Sequence, residues 1–298
     1  MYALPVSDWL VGPKGTLHPG VISFLADAPL LAAVQSMLPP RTFCTTAEVS
    51  TTFLGSAQRG DELLAEGRVI HSDGATGLAE AFVRRADGTL IGHATSRLFV
   101  FPPVPLDDGE LELRPAADQD DATPDPYLRT VEGGTLTPHA LAELSGLELL
   151  EHQLDGKLSR PPVDLLTGIT LVVAERGRTE FTLSAHGWGA NEFGTFFGGL
   201  LGLLAASAGS SAVQTVANAG TAFKALDLKI NIIRPVATDG SELRAVGTVV
   251  HRGAQLAISS TEITNGRGKR VAVATGTTML GSAAEAAQEP AGVAFESS

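Results

Sequence analysis

The sequence predicts an α+β protein made of one unit used twice, each unit a long central apolar helix wrapped by an antiparallel sheet. Three observations predict it. Gly15-Thr16-Leu17-His18-Pro19-Gly20 reads as a tight turn opening a helix that stays mostly apolar to Met37, so that helix is wrapped rather than laid on a surface. Gly194-Thr195-Phe196-Phe197-Gly198-Gly199 opens a second apolar helix in the same way. Each helix is followed by strand-like runs that match in detail: Gly60-Asp61-Glu62-Leu63 against Gly240-Ser241-Glu242-Leu243, and Val69-Ile70-His71 against Val249-Val250-His251. A repeat this long, present twice only, is a duplicated domain and not a solenoid.

The elements follow in order. Met1–Val6 is short, apolar and extended, a clipped first strand, and Ser7–Leu17 is a loop. The helix runs from Pro19, tolerated in a first turn, to Leu38, where Pro39-Pro40 stops it. Pro29 removes a bond to the Leu25 carbonyl and is expected to bend the helix. Strand-like runs at Phe43–Leu54, Glu62–His71, Leu78–Arg85 and Leu90–Phe101 read as a four-strand meander, with turn chemistry at Gly55-Ser56, Ser72-Asp73-Gly74 and Ala86-Asp87-Gly88. Pro102–Thr137 is dense in proline, carries Asp118-Gln119-Asp120-Asp121, and reads as a solvated linker. His139–Leu154 is helical, and Leu165–Ala174 and Arg178–Ala185 are strands. The second helix, Gly198–Ala217, is followed by strands at Phe223–Ile233, Glu242–Val250, Gln255–Thr264 and Arg270–Leu280. Gly281–Ser298 is small and polar, a flexible tail. The domains expected are 1–101, a linker over 102–137, 138–281, and a tail over 282–298.

Bulk properties narrow the function classes. The chain has 298 residues, 44% of them hydrophobic, enough for two domains of roughly 130 residues. A net charge of −12 argues against a nucleic-acid partner. Cys44 is the only cysteine, which excludes an intrachain disulfide and a thiolate metal cluster and suits a reducing cytosol. The histidines are too scattered for a metal cluster. Met1-Tyr2-Ala3-Leu4 lacks the basic start of a signal peptide. The segment from Gly198 to Ala217 is long enough to span a membrane but so rich in Gly, Ala and Ser that it reads as a core helix. The expectation is a cytoplasmic protein without nucleic-acid or membrane partners.

One carboxylate, Asp27, stands inside the first apolar helix; the second helix has Ala206 in its place. In this pattern the chain resembles the hotdog-fold acyl-CoA thioesterases of the phenylacetate-degradation type. Their signature is an Asn, then Gly-Thr-x-His-Gly-Gly, an Asp on the central helix, and a Ser or Thr in the next strand. Gly15 to Asp27 matches with Pro19 in place of one Gly; Asn191 to Gly199 matches with Phe197 in place of His. The resemblance covers both halves, but neither linker nor tail, and implies a tandem double hotdog, here an α+β chain of two such domains.

In such enzymes the Asn and the helix-start Gly come from one hotdog, the carboxylate and the hydroxyl from the other. Carried over by position, the second half offers Asn191 and Gly198, and the first offers Asp27 and Thr46. The opposite pairing joins Gly12 and Pro19 to Ala206 and Ala225, and all four groups are gone. Independent decay would not sort so cleanly, so one working and one dead site are expected per chain. The Gly198 N–H would polarise a thioester carbonyl, a kind of donor worth about 3 kcal/mol of barrier. Asp27 would act as general base toward water or as nucleophile; the sequence leaves both open. Thr46 would hold the water or steady Asp27, and Asn191 would orient water or thioester. His18, His71 and His251 read as structural, and Cys44 as a core thiol. Phe24, Phe196 and Phe197 are candidates for limiting the depth of the acyl pocket.

The resemblance implies hydrolysis of acyl-CoA in lipid metabolism, or of carrier-protein thioesters. It implies no cofactor beyond the coenzyme A of the substrate, and a homo-oligomer, a dimer of double hotdogs. A non-catalytic acyl-CoA binding protein is the alternative, kept open by Pro29 after Asp27 and by Phe197. An enoyl-CoA hydratase is a further one, disfavoured by the two helical turns between His18 and Asp27.

Overall fold

The computed structural model describes residues 1–103, 129–191 and 193–282. The first half holds β1 (Tyr2–Pro5), α1 (Pro19–Gln35), β2 (Cys44–Phe53), β3 (Glu62–Ser72), β4 (Thr76–Arg85) and β5 (Leu90–Val100). Three short helices follow, α2 (Pro138–Glu143), α3 (Gly146–Leu154) and α4 (Pro162–Thr167). The second half holds β6 (Thr170–Glu175), β7 (Arg178–Ser184), α5 (Gly198–Gln214), β8 (Thr221–Ile232), β9 (Glu242–Arg252), β10 (Leu256–Asn265) and β11 (Arg270–Ser282). The strands form one antiparallel sheet in the order β1-β3-β4-β5-β2-β8-β11-β10-β9-β7-β6.

The halves meet where β2 pairs β8, in the register Val49↔Ile230 and Thr51↔Leu228. All four of these residues are buried. Alternation along a strand therefore puts the core face of both halves on one side of the sheet, and α1 and α5 pack there against each other. Their approach uses glycine: a Cβ on Gly20 would lie 2.6 Å from Leu203 Cδ1, and one on Gly199 would lie 3.0 Å from the Phe24 Cα. Each helix also crosses its own sheet at a glycine. A Cβ on Gly67 would lie 2.2 Å from the Pro29 carbonyl oxygen, and one on Gly247 would lie 2.2 Å from that of Ala208. Leu30 and Val34 of α1, Leu204 of α5, and Leu63, Leu98, Leu243 and Ile263 of the sheet share one core. Truncating such a leucine to Ala costs about 2–5 kcal/mol.

Four local expectations change. Neither half is the sequential meander expected of both: β8 lies beside β11 and not β9, just as β2 departs from β3 in the first half. The hairpin turns after β3 and β4 are tight, but residues 54–61 are too long for one, and β2 lies beside β5 instead of β3. That placement frees the other edge of β2 for β8. The helix expected over 139–154 is two helices: Leu144 is extended (ψ 138°), and Ser145 with Glu148 forms a capping box that starts α3. The strand expected from Leu165 begins only at Thr170, because Pro162 opens α4 and Gly168, at φ 81°, ends it. Gly281 and Ser282, assigned to the tail, complete β11.

α1 runs through Pro29 without a break. The acidic run of the linker and the tail beyond Ser282 lie outside the described residues. The linker's last residues sit on the first half, where the Leu136 N–H donates to the Pro13 carbonyl at 2.7 Å. Among the described residues no helix is long and apolar enough to cross a membrane.

Candidate active site

Asp27 sits on α1 facing α5 and is 2% exposed. Thr46, in β2, donates its hydroxyl to Asp27 Oδ1 at 2.9 Å. A bulge in β2 at Ala47 breaks the alternation beside Thr46, the kind of irregularity that re-aims a side chain. The other carboxylate oxygen faces the start of α5: a Cβ on Gly198 would lie 3.0 Å from Asp27 Oδ2 and 2.9 Å from Ile232 Cδ1. Only glycine fits that gap without displacing the carboxylate.

Gly198 is the first residue of α5, where N–H groups have no partner inside the helix. Phe197 occupies the N-cap and makes no side-chain cap bond. A carbonyl oxygen placed there would meet an amide donor with the helix dipole behind it. Asn191 is turned inward on its own loop. Its Oδ1 accepts from the N–H groups of Phe193 and Thr195, both at 3.0 Å, and its Nδ2 donates to Thr195 Oγ1 at 2.9 Å. It holds the turn that delivers the helix start.

Asp27, Thr46, Asn191 and Gly198 all line one cavity of about 780 Å³, walled by residues from both halves. Phe196 and Phe197 line it too, and Phe24 backs Phe197 edge-on, ring centroids 5.3 Å apart.

The symmetry-related position is closed. Pro19, Ala206 and Ala225 line a void of about 10 Å³, the room of one water-sized sphere. Gly12, the fourth residue of that pairing, packs instead against His18, whose Cδ2 would lie 3.2 Å from a Cβ there. His18 caps α1, its Nδ1 accepting the Gly20 N–H at 3.1 Å. Burial lowers its pKa to about 4, which keeps the ring neutral and able to accept. Cys44 is buried, with Sγ 3.6 Å from Gln35 Oε1.

The repeat extends further than the sequence comparison carried it. The 3-10 turns Asp8–Leu10 and Gly187–Gly189 are equivalent, as are the bridges Val11↔Leu17 and Ala190↔Phe196. Where Phe193 meets Phe43 edge to face, centroids 5.4 Å apart, Lys14 sits 3.4 Å over the ring of Phe223. Burial lowers the pKa of Lys14 to about 8. Two contributors to the open cavity escaped the sequence reading. Thr195 was legible as the Thr of Gly-Thr, but its bond to Asn191 was not. The wall at Ile233, Pro235 and Val236 arrives only through the β2–β8 junction, which no local signal announces. Among the described residues no group of His, Cys, Asp and Glu is arranged to hold a metal.

A family model described as the thioesterase superfamily matches residues 14–91 and 193–272, one segment in each half. Solved structures of similar fold include a candidate thioesterase of Novosphingobium aromaticivorans, 18% identical, aligned over 94% of this chain and 95% of that one with a TM-score of 0.59. A TesB protein of Mycobacterium avium subsp. paratuberculosis is 14% identical over 89% and 88% (TM-score 0.56). A hot-dog-fold protein of Alicyclobacillus acidocaldarius is 12% identical over 94% and 92% (TM-score 0.56). At such identities the likeness is one of fold: two tandem hotdog domains, as the sequence predicts. No curated protein matches.

Proposed function

Since the chain belongs to the thioesterase superfamily, we propose that it hydrolyses an acyl-CoA thioester to the free acid and CoA at the cavity between its halves. One observation carries the reading: a buried carboxylate of the first half, steadied by the Thr46 hydroxyl, faces the open helix start of the second at Gly198.

In this reading the thioester carbonyl oxygen takes the Gly198 N–H, and Oδ2 of Asp27 works on the carbonyl carbon's side. As general base, Asp27 removes a proton from water as the water oxygen attacks. The tetrahedral intermediate then expels the thiolate of CoA, which takes that proton. As nucleophile, Oδ2 attacks directly, CoA leaves, and water cleaves the resulting anhydride. Thr46 serves both routes by fixing Oδ1, and Asn191 serves them by shaping the loop before α5. No cofactor enters beyond the CoA of the substrate. The role in lipid metabolism and the dimer of double hotdogs come from the family resemblance, and the cytoplasmic location from the single cysteine and the lack of a basic start.

The engagement of Asn191 Oδ1 within its own loop favours a second reading, an acyl-CoA binding protein without turnover. Release of free CoA from a panel of acyl-CoAs, for wild type and Asp27→Ala side by side, separates the two. The expected result is turnover by wild type and a loss of about 10²–10⁴-fold in a folded Asp27→Ala protein. Turnover surviving that change moves the chemistry elsewhere. Binding by wild type without release of CoA establishes the second reading.

A further inference from the structure

The cavity does not stop at Asp27. Ala28, Leu31, Ala32, Gln35 and Ser36 line it as well. With Asp27 they form the series i, i+1, i+4, i+5, i+8, i+9, one face of α1, while Pro29, Leu30 and Val34 turn to the core. From Asp27 to Ser36 the stripe rises nine residues, about 13 Å at 1.5 Å per residue. Beyond Asp27 it bears no charge. The amide of Gln35 is already committed, its Nε2 donating to the Thr42 carbonyl at 2.8 Å and its Oε1 accepting the Cys44 N–H at 3.1 Å. Two residues of the stripe, Ala28 and Ala32, are alanines, so the floor of the groove is low. Ile232, Ile233 and Val236 of the second half also line the cavity.

The second half provides the contrast. The positions of α5 equivalent to Ala28, Leu31 and Ala32 are Ser207, Ser210 and Ser211, so the stripe is polar there. Its far end is also covered. A Cβ on Gly146, the first residue of α3, would lie 1.9 Å from the Gln214 carbonyl oxygen, and the Gly146 N–H donates to the Ala217 carbonyl at 3.0 Å. Among the described residues an apolar groove of this kind lies beside the carboxylate and not at its symmetry mate.

We propose that this stripe of α1 is the acyl groove, that it takes an extended aliphatic chain of about ten carbons, and that Ala28 and Ala32 set the length accepted. The proposal rests on the thioesterase reading above for the placement of the reacting carbonyl at Asp27. An extended alkyl chain advances about 1.3 Å per carbon from bonds of about 1.5 Å, so about 13 Å holds roughly ten. Each buried methylene is worth roughly a fourfold gain.

The test is kcat/KM for saturated acyl-CoAs from four to sixteen carbons, with wild type and Ala32→Phe. Wild type is expected to gain up to about fifteenfold per two carbons, roughly fourfold for each methylene, up to about ten carbons and then level. Ala32→Phe, which fills the middle of the groove, is expected to lose at least tenfold on decanoyl-CoA relative to its loss on butyryl-CoA. A flat wild-type profile, or an Ala32→Phe profile parallel to wild type, overturns the proposal. Should Ala32→Phe fail to fold, Ala28→Val takes its place. Inhibition of wild type by free fatty acids of graded length gives the same reading without a variant, and an inhibition constant independent of length overturns it. If no acyl-CoA is turned over, the thioesterase reading fails separately. Calorimetric affinity for decanoyl-CoA over butyryl-CoA, lost in Ala32→Phe, then decides the groove on its own.

Discussion

At one junction between the halves the fold leaves a cavity of about 780 Å³; at its symmetry mate it leaves about 10 Å³. The backbones do not account for this. β2 is bulged at Ala47 and β8 at the equivalent Leu226, and each long helix crosses a glycine of the second strand that follows it, Gly67 in β3 and Gly247 in β9. What differs is the side chains at four positions and the helices laid around them. Ala206 stands for the carboxylate, Ala225 for the hydroxyl and Pro19, without an N–H, for the helix-start donor. A duplicated fold thus carries one proposed site because site chemistry is set residue by residue on a scaffold that tolerates its loss.

Disturbing equivalent residues at the two junctions should have unequal effects. Gly198→Ala places a methyl 3.0 Å from Asp27 Oδ2 and 2.9 Å from Ile232 Cδ1, so carboxylate and helix start must separate. The expected effect is a loss of roughly 10²–10³-fold in kcat, the scale of a misplaced oxyanion donor, with little change in melting temperature. Pro19→Gly, its counterpart in the closed pocket, is expected to leave turnover unchanged. Steady-state kinetics on both variants settles it, and equal losses would mean that the closed pocket contributes after all.

Much of this was legible in the sequence because the repeat is its own control. The signature positions Asp27, Thr46, Asn191 and Gly198 sort across the halves, and the structure brings all four to one cavity. What stayed hidden depends on long-range contacts. Asn191 looks free to meet a substrate until its loop is closed and Thr195 and Phe193 claim its oxygen. The strand order departs from a meander because residues 54–61 are too long for a tight turn, so β2 lies beside β5 at long range and leaves its other edge for β8. The run from Leu165 looked like a strand on composition, and Pro162 and Gly168 overrode it.

The helices laid around the second half offer a subtler test. Asp164 of α4 is buried, and burial raises its pKa to about 7, opposed in part by Arg160. The folded protein therefore keeps a proton that the unfolded chain releases near pH 3.8, and stability falls as pH rises from about 4 to about 7, then levels. Asp164→Asn removes this linkage. Relative to wild type it should gain stability across that window, reaching roughly 2 kcal/mol by pH 8 after the cost of an imperfectly paired amide. Urea melts at pH 5 and pH 8 measure it. A difference that does not grow with pH would mean that burial does not hold the Asp164 carboxyl protonated in the fold.

The smallest effect asked of the comparison concerns the two helix caps. His18 caps α1 through Nδ1, while Phe197 at the same place in the second half caps nothing. His18→Phe makes the halves alike, and losing a cap of this kind costs about 1 kcal/mol at pH 7. The sign reverses in acid. The folded pKa of His18, about 4, lies below its ordinary 6.5, so the unfolded chain takes up a proton that the folded one refuses. Wild type thus loses stability as pH falls from about 6.5 to about 4, while the Phe variant lacks that loss. The variant should melt below wild type at pH 7, match it near pH 6, and exceed it by pH 4.5. Parallel melting curves over that range would show that His18 is not held neutral by burial, and the asymmetry of the two helix starts would then be one of shape alone.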